Sequence, residues 1–217
     1  MNLPTFLCST AALVALATGP VPAAAHVPFL EDADYSETAP FRVSDVEQSK
    51  ALYGWLDAKD VDFYAMEVRD PVRIYTHTLV PRCLEYRSFP VHYALTGPGM
   101  PEPAVPLPFE LPAGHGAVVV TDEGAGASPR PTIYEQFSAR YYFEGPELEY
   151  EARVPGQYRM VVWSDGGAGD YVAVIGKAEK FGPADIVRAV RHTPTLRRAG
   201  ELRGECTDEA DYKSARR

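Results

Sequence analysis

The chain has 217 residues and a formal net charge of −9 at neutral pH. An acidic surface argues against nucleic acid and against anionic membranes as general partners, and it is compatible with cations or a basic partner. Aromatic residues make up 11% of the chain, beside 20 prolines and 17 glycines. This composition excludes a disordered chain and predicts many short strands joined by turns.

The first 25 residues contain no Asp, Glu, Lys or Arg. An apolar stretch over residues 6–17 is followed by Gly-Pro at 19–20 and by three alanines at 23–25, as in a cleavable secretory signal. Only a Lys or Arg near the start is missing from that pattern. We therefore predict a signal peptide over 1–25 and a periplasmic or secreted mature chain with no transmembrane anchor, although cleavage after Ala23 fits the small-residue rule too.

An acidic, proline-containing lead-in over residues 26–48 precedes a series of short apolar runs separated by turn signals. Their spacing predicts an all-β fold, an antiparallel β-sandwich of jelly-roll or Greek-key type over residues 49–180. The predicted strands are 49–56, 61–68, 72–80, 90–95, 117–120, 132–142, 148–154, 157–163 and 171–176.

The remaining residues, 181–217, are predicted to form a helical or flexible tail. Pro183 suits the first turn of a helix, and we expect that helix over residues 183–191.

Three sequence motifs resemble bacterial pre-peptidase C-terminal domains. Asp60-Val61-Asp62-Phe63-Tyr64 leads into a strand, Pro155-Gly156-Gln157-Tyr158 opens another, and Gly169-Asp170-Tyr171 opens the last. The same shape recurs in Golgi-dynamics-type secreted β-sandwiches. The resemblance covers roughly residues 50–176, with a long insertion over 97–145 that a minimal module lacks. It implies a non-catalytic extracellular module used for binding or secretion.

Cleavage after Ala25 would leave His26 as the amino terminus. Its α-amine and imidazole, with one further histidine, would form a set of nitrogen donors that suits Cu(II). His77, His92 and His115 are the candidates for the further donor, with His192 in the tail. The ordinary alternative is a histidine that falls first by chance.

A calcium site is the alternative metal prediction. Asp57, Asp60 and Asp62 supply carboxylate oxygens in one turn, and the lead-in adds an acidic group at 31–34. Calcium takes six to eight oxygen ligands, which loops between strands often supply. Solvated turn carboxylates explain the same pattern without a metal.

Two cysteines, Cys83 and Cys206, remain once the predicted signal with Cys8 is removed. In an oxidising compartment such a pair predicts one disulfide, or else two separate thiols.

No serine lies in a G-x-S-x-G motif, and the period-two row Glu147, Glu149 and Glu151 is typical of a solvent-facing strand. We therefore predict a protein that is not an enzyme. The leading hypothesis is an exported β-sandwich that binds a protein partner or small ligand in the cell envelope. The alternative is a periplasmic copper-binding protein that uses His26.

Overall fold

The computed structural model describes residues 26–198 and 202–207, so the predicted signal peptide over 1–25 lies outside the described residues. In chain order the elements are β1 (Val27–Leu30), β2 (Phe41–Val43), β3 (Lys50–Leu56), β4 (Val61–Val68), β5 (Val72–Pro81), β6 (His92–Pro98), β7 (His115–Val120), β8 (Thr132–Glu135), β9 (Arg140–Ala152), β10 (Gly156–Trp163), β11 (Gly169–Ile175) and α1 (Pro183–Leu196).

The strands form two sheets, which confirms the predicted β-sandwich. One sheet has six strands in the order β1-β3-β11-β5-β9-β8, and the other has five in the order β2-β4-β10-β6-β7. The helix begins at Pro183 as predicted and continues five residues past the predicted end. At its start, the Gly182 backbone N–H donates to Asp185 Oδ2 at 2.9 Å.

The acidic lead-in contributes one edge strand to each sheet, which the sequence did not predict. β1 pairs with β3 and β2 pairs with β4, both in parallel, whereas the other strand pairs are antiparallel. Pro28 is tolerated because an edge strand does not need every backbone donor. This arrangement fixes His26, the residue before β1, against the body of the six-stranded sheet.

The core between the sheets is rich in tyrosine. Its largest fully buried side chains include Tyr64 and Tyr171, whose hydroxyl oxygens lie 2.5 Å apart. Tyr171 Oη donates to Asp62 Oδ2 at 2.5 Å. Gly54 leaves room for this group, because a Cβ there would lie 2.9 Å from the Tyr171 ring. The buried hydroxyls therefore satisfy each other inside an otherwise apolar layer.

A disulfide joins Cys83 to Cys206, with 5.5 Å between their Cα atoms, and confirms the predicted pair. The residues just before Cys206 are also held by hydrogen bonds. The backbone N–H groups of Arg203 and Gly204 donate to the two carboxylate oxygens of Asp170 at 2.8 and 2.9 Å. The segment 202–207 is thus fastened across the end of β11.

Candidate metal centre

A cavity of about 170 Å³ lies where the start of β1 meets β5 and β9. Its polar lining combines two histidines with carboxylates, a serine, a tyrosine and a lysine: His26, His77, Glu144, Glu147, Glu179, Ser49, Tyr75 and Lys177. Two imidazole rings and three carboxylates therefore line one cavity beside the six-stranded sheet.

A bulge between β5 and β9 creates this combination. His77 pairs with Glu147, but Leu79 pairs with Glu144, so β9 has one extra residue at this point. Residues three apart on a regular strand point to opposite faces, and the extra residue puts Glu144 and Glu147 on the same side. Gly145 sits in the bulge, where a Cβ would lie 2.3 Å from Thr78 Oγ1.

His77, Glu144 and Glu147 form a compact group. Each offers one ligand atom, and these three atoms lie within 4.8 Å of one another. His77 is buried, with 4% of its surface exposed. Its Nε2 is buried and has no hydrogen-bond partner in the part of the chain that the structure describes. A buried polar atom without a protein partner calls for an explanation, and a bound ion or water is one such explanation.

Burial lowers the pKa of His77 to about 4, and the nearby charge of Glu147 opposes this shift without cancelling it. A hydrogen bond with the Gly145 backbone also raises the pKa slightly. Because Nε2 has no partner among the described groups, Nδ1 makes this bond. The ring at neutral pH is therefore a neutral imidazole, the form that binds metals.

The two glutamates differ in their surroundings. Burial raises the pKa of Glu144, and the charge of Glu147 raises it further. Lys177 Nζ lies 3.9 Å from Glu147 Oε2 and 2.5 Å from Glu149 Oε1. The same ammonium lies 4.1 Å from the centre of the Tyr75 ring. Lys177 therefore places one positive charge at the rim of the cavity.

His26 lies in the same cavity, and its ring is fixed by Ser49. The His26 Nδ1 and Ser49 Oγ atoms are 2.6 Å apart. Burial lowers the pKa of His26, while the charges of Glu135 and Glu179 act to raise it. The charge of His26 in turn contributes to lowering the pKa of His77. Of the predicted copper ligands, His26 and His77 line the same cavity, and of these two His77 alone belongs to the compact group with Glu144 and Glu147.

Two further predicted ligands, His92 and His115, lie elsewhere. His92 and His115 belong to β6 and β7, in the five-stranded sheet. His92 Nδ1 accepts a hydrogen bond from the Asp122 backbone at 3.1 Å, and its Nε2 lies 3.2 Å from Asp165 Oδ1. His92 and His115 begin strands of the five-stranded sheet, and neither lines the cavity that contains His26 and His77.

The predicted calcium group is only partly assembled. Asp60 and Asp62 come together with Asp34 from the lead-in, with one oxygen of each within 4.8 Å of the others. Asp57 is instead used locally, where its Oδ1 accepts from Trp55 Nε1 at 2.9 Å. Asp62 is fully buried, its Oδ1 has no partner among the described residues, and burial raises its pKa to about 7.

Two other glutamates, Glu135 and Glu151, have structural partners. Glu135 accepts hydrogen bonds from Tyr53 Oη at 2.6 Å and from the Ser138 backbone at 2.7 Å. Glu151 accepts from Arg153 at 2.7 Å on the exposed side of β9. These groups hold turns and surface strands.

Comparisons with known proteins find similar structures and no match by sequence. No family model and no curated protein matches the chain by sequence. The pre-peptidase C-terminal domain of a collagenase from Bacillus anthracis is similar in structure, with a TM-score of 0.34 and 15% identity, over 62% of this chain and 91% of that domain. A pre-peptidase C-terminal domain is thus among the similar structures, as the sequence motifs predicted.

Two periplasmic inhibitors of g-type lysozyme, both PliG, are also similar in structure. The protein from Salmonella Typhimurium has a TM-score of 0.33 and 15% identity, over 63% of this chain and 96% of that one. The protein from Aeromonas hydrophila has a TM-score of 0.32 and 13% identity, over 63% and 94%. All three scores are low, so function is inferred below from the side chains of this chain alone. Among the described residues, helices long and apolar enough to cross a membrane are absent.

Proposed function

We propose that the mature chain is an exported, non-enzymatic β-sandwich whose ligand is a metal ion, Cu(II), bound in the cavity of His26 and His77. The observation that carries this proposal is the buried Nε2 of His77. A buried nitrogen without a partner costs free energy, and a metal ion is the partner that a neutral imidazole lone pair would take. Glu144 and Glu147 would supply oxygen donors and negative charge beside it.

Copper is favoured by the number of nitrogens available. With cleavage after Ala25, the α-amine and Nδ1 of His26 would hold one ion, and His77 Nε2 would supply the third nitrogen. Cu(II) binds nitrogen donors more tightly than the other divalent ions of the first transition row. Ser49 Oγ now occupies Nδ1 of His26 at 2.6 Å, so the ion would replace this hydrogen bond.

The lowered pKa of His77, about 4, predicts how binding responds to pH. A ligand histidine must be deprotonated, and this ring already is at neutral pH. Protonation of His77 therefore competes with the metal only as the pH falls toward about 4. Until then, acidification weakens binding through the α-amine of His26 instead, because that group is protonated first.

The test is a titration of the mature protein, which starts at His26, with Cu(II). Isothermal calorimetry measures the affinity. His77→Ala should weaken binding at least about tenfold, the size expected for loss of a ligand contact. His92→Ala is the matched control, because it removes a histidine from the opposite sheet, and it should leave binding unchanged. A chain that retains Ala25 before His26 should bind more weakly, because the free α-amine then belongs to Ala25 and the nitrogen of His26 is part of a peptide bond. Equal affinity in all four proteins would overturn the proposal.

A second candidate, a calcium ion, is favoured by Asp62. Its buried Oδ1 points to a ligand that Asp34 and Asp60 would share. Such a site would join the lead-in to the turn between β3 and β4, so calcium should raise the thermal stability of the chain. The cavity of His26 and His77 lies at another place, and the two proposals stand or fall separately.

A further inference from the structure

The helix α1 has an exposed apolar face. Ile186, Val187 and Val190 have 56%, 68% and 69% of their surface exposed, and Phe181 just before the helix has 38%. Within the described ranges, only four other large hydrophobic residues are exposed, and they are scattered: Leu84, Val105, Tyr134 and Val154. Exposed aliphatic side chains grouped on one element indicate an interaction surface.

The other side of α1 packs against the sandwich, and these contacts determine which way the exposed apolar face points. Ala189 and Leu196 are buried. The Arg188 guanidinium lies 4.1 Å from the centre of the Phe29 ring on β1. Arg197 Nε donates to the Phe137 carbonyl at 3.1 Å. At 100° per residue, the exposed aliphatic residues therefore point away from the body.

The charge of the helix is opposite to that of the rest of the chain. Residues 183–198, which comprise α1 and the two residues after it, contain four arginines and one aspartate, a net charge of +3, in a chain of −9. The other residues therefore carry −12. Arg191 and Arg198 are exposed. Helical spacing places Arg191 beside Val187, at the edge of the apolar face, and Arg198 follows the end of the helix.

We infer that this face docks the protein on an anionic membrane surface. A helix with aliphatic residues facing outward, an arginine at its edge and two more just after its end matches the pattern of interfacial helices, which insert their apolar side to a shallow depth beside acidic headgroups. Arginine side chains keep their charge at the headgroups while their stems stay apolar. Repulsion from the acidic body is screened beyond about 10 Å, so it does not prevent contact by α1 alone.

This inference concerns a partner and is independent of the metal proposal. The acidic composition argues against anionic membranes for the body as a whole, and α1 is the local exception. A basic partner for this helix is excluded by charge. A second copy of the chain would have to bring the same arginines together, which charge repulsion disfavours.

The test is co-sedimentation of the mature chain, with its disulfide intact, with vesicles of phosphatidylcholine alone or with about one third phosphatidylglycerol. Binding is expected only to the anionic vesicles, and it should weaken as salt is raised. Arg191→Glu with Arg198→Glu should weaken binding at least about 25-fold, from roughly fivefold per arginine removed. Val187→Ser with Val190→Ser should also weaken it. Leu84→Ser and Arg73→Glu are the matched controls for an exposed aliphatic and an exposed arginine elsewhere, and both should bind like the wild type.

Circular dichroism and thermal melting of each variant test whether the fold is kept. The arginine variants and the valine variants test the charge and the apolar contribution to vesicle binding separately. The inference is overturned if the wild type does not bind anionic vesicles, or if it binds them equally with the α1 variants. It is also overturned if Val187→Ser with Val190→Ser abolishes a concentration-dependent dimer in a protein that shows no vesicle binding.

Discussion

Asp62 makes the stability of this protein depend on pH in a direction opposite to that of most carboxylates. It is fully buried beside Tyr171, and burial raises its pKa to about 7 from an ordinary value of 3.8. A carboxyl whose pKa is higher in the folded state contributes stability that is present in full below the unfolded pKa. That stability is lost as the pH rises through the folded pKa. The window is therefore from about pH 4 to about pH 7.

Replacing Asp62 with Asn removes this titration and keeps an oxygen to accept the Tyr171 hydrogen bond. Each pKa unit is worth about 1.36 kcal/mol, and about pH 5 lies roughly two units below the folded pKa. The free energy of unfolding of wild type should therefore fall relative to Asp62→Asn by about 3 kcal/mol between about pH 5 and about pH 8. Urea denaturation of both proteins in calcium-free buffer measures this difference. A difference that stays constant over this range would refute the assignment of the raised pKa to Asp62.

Three other predictions follow from the contacts described above. Replacing Cys83 and Cys206 with Ser should lower the free energy of unfolding by about 4–5 kcal/mol, because the disulfide closes a loop of more than one hundred residues; chemical denaturation measures it. Asp60→Asn should abolish a calcium-induced rise in melting temperature and Asp57→Asn should not; equal responses would exclude the calcium site. Gly145→Ala should weaken Cu(II) binding and lower the free energy of unfolding by about 1–3 kcal/mol, because a Cβ there would lie 2.3 Å from Thr78 Oγ1 on the neighbouring strand. Unchanged Cu(II) binding would show that the bulge does not position the metal ligands.

The sequence predicts most of the sandwich because its strands have clear boundaries. Val61–Val68 is an apolar run between two turns, and the structure forms β4 with those bounds. The lead-in carries no such signal. Val27–Leu30 is short, contains Pro28 and follows no alternation, and it becomes β1 only because β3 offers a free edge with parallel register. Pairing of that kind is a tertiary effect that local sequence does not encode.

Only the histidines of the candidate metal centre can be predicted from the sequence, because the position of the glutamates depends on a bulge. The chemistry of nitrogen donors selects His26 from the sequence, with His77 as one of four candidate partners. Glu144 and Glu147 were hidden, because only Glu147 belongs to the regular row of acidic residues, and a bulge reverses the side on which Glu144 points. A glycine followed by a proline inside a strand, as at 145–146, is the one sequence signal of that bulge.

The central claim is that the amino terminus and His77 hold one copper ion. Electron paramagnetic resonance of the mature chain with one equivalent of Cu(II) tests it most directly. Nitrogen hyperfine coupling should report three nitrogen donors in a chain whose mass shows that it starts at His26. In His77→Ala one nitrogen donor should be lost, while His92→Ala should give the wild-type spectrum. A spectrum of oxygen-coordinated copper in the wild type, or one that His77→Ala leaves unchanged, would contradict the claim.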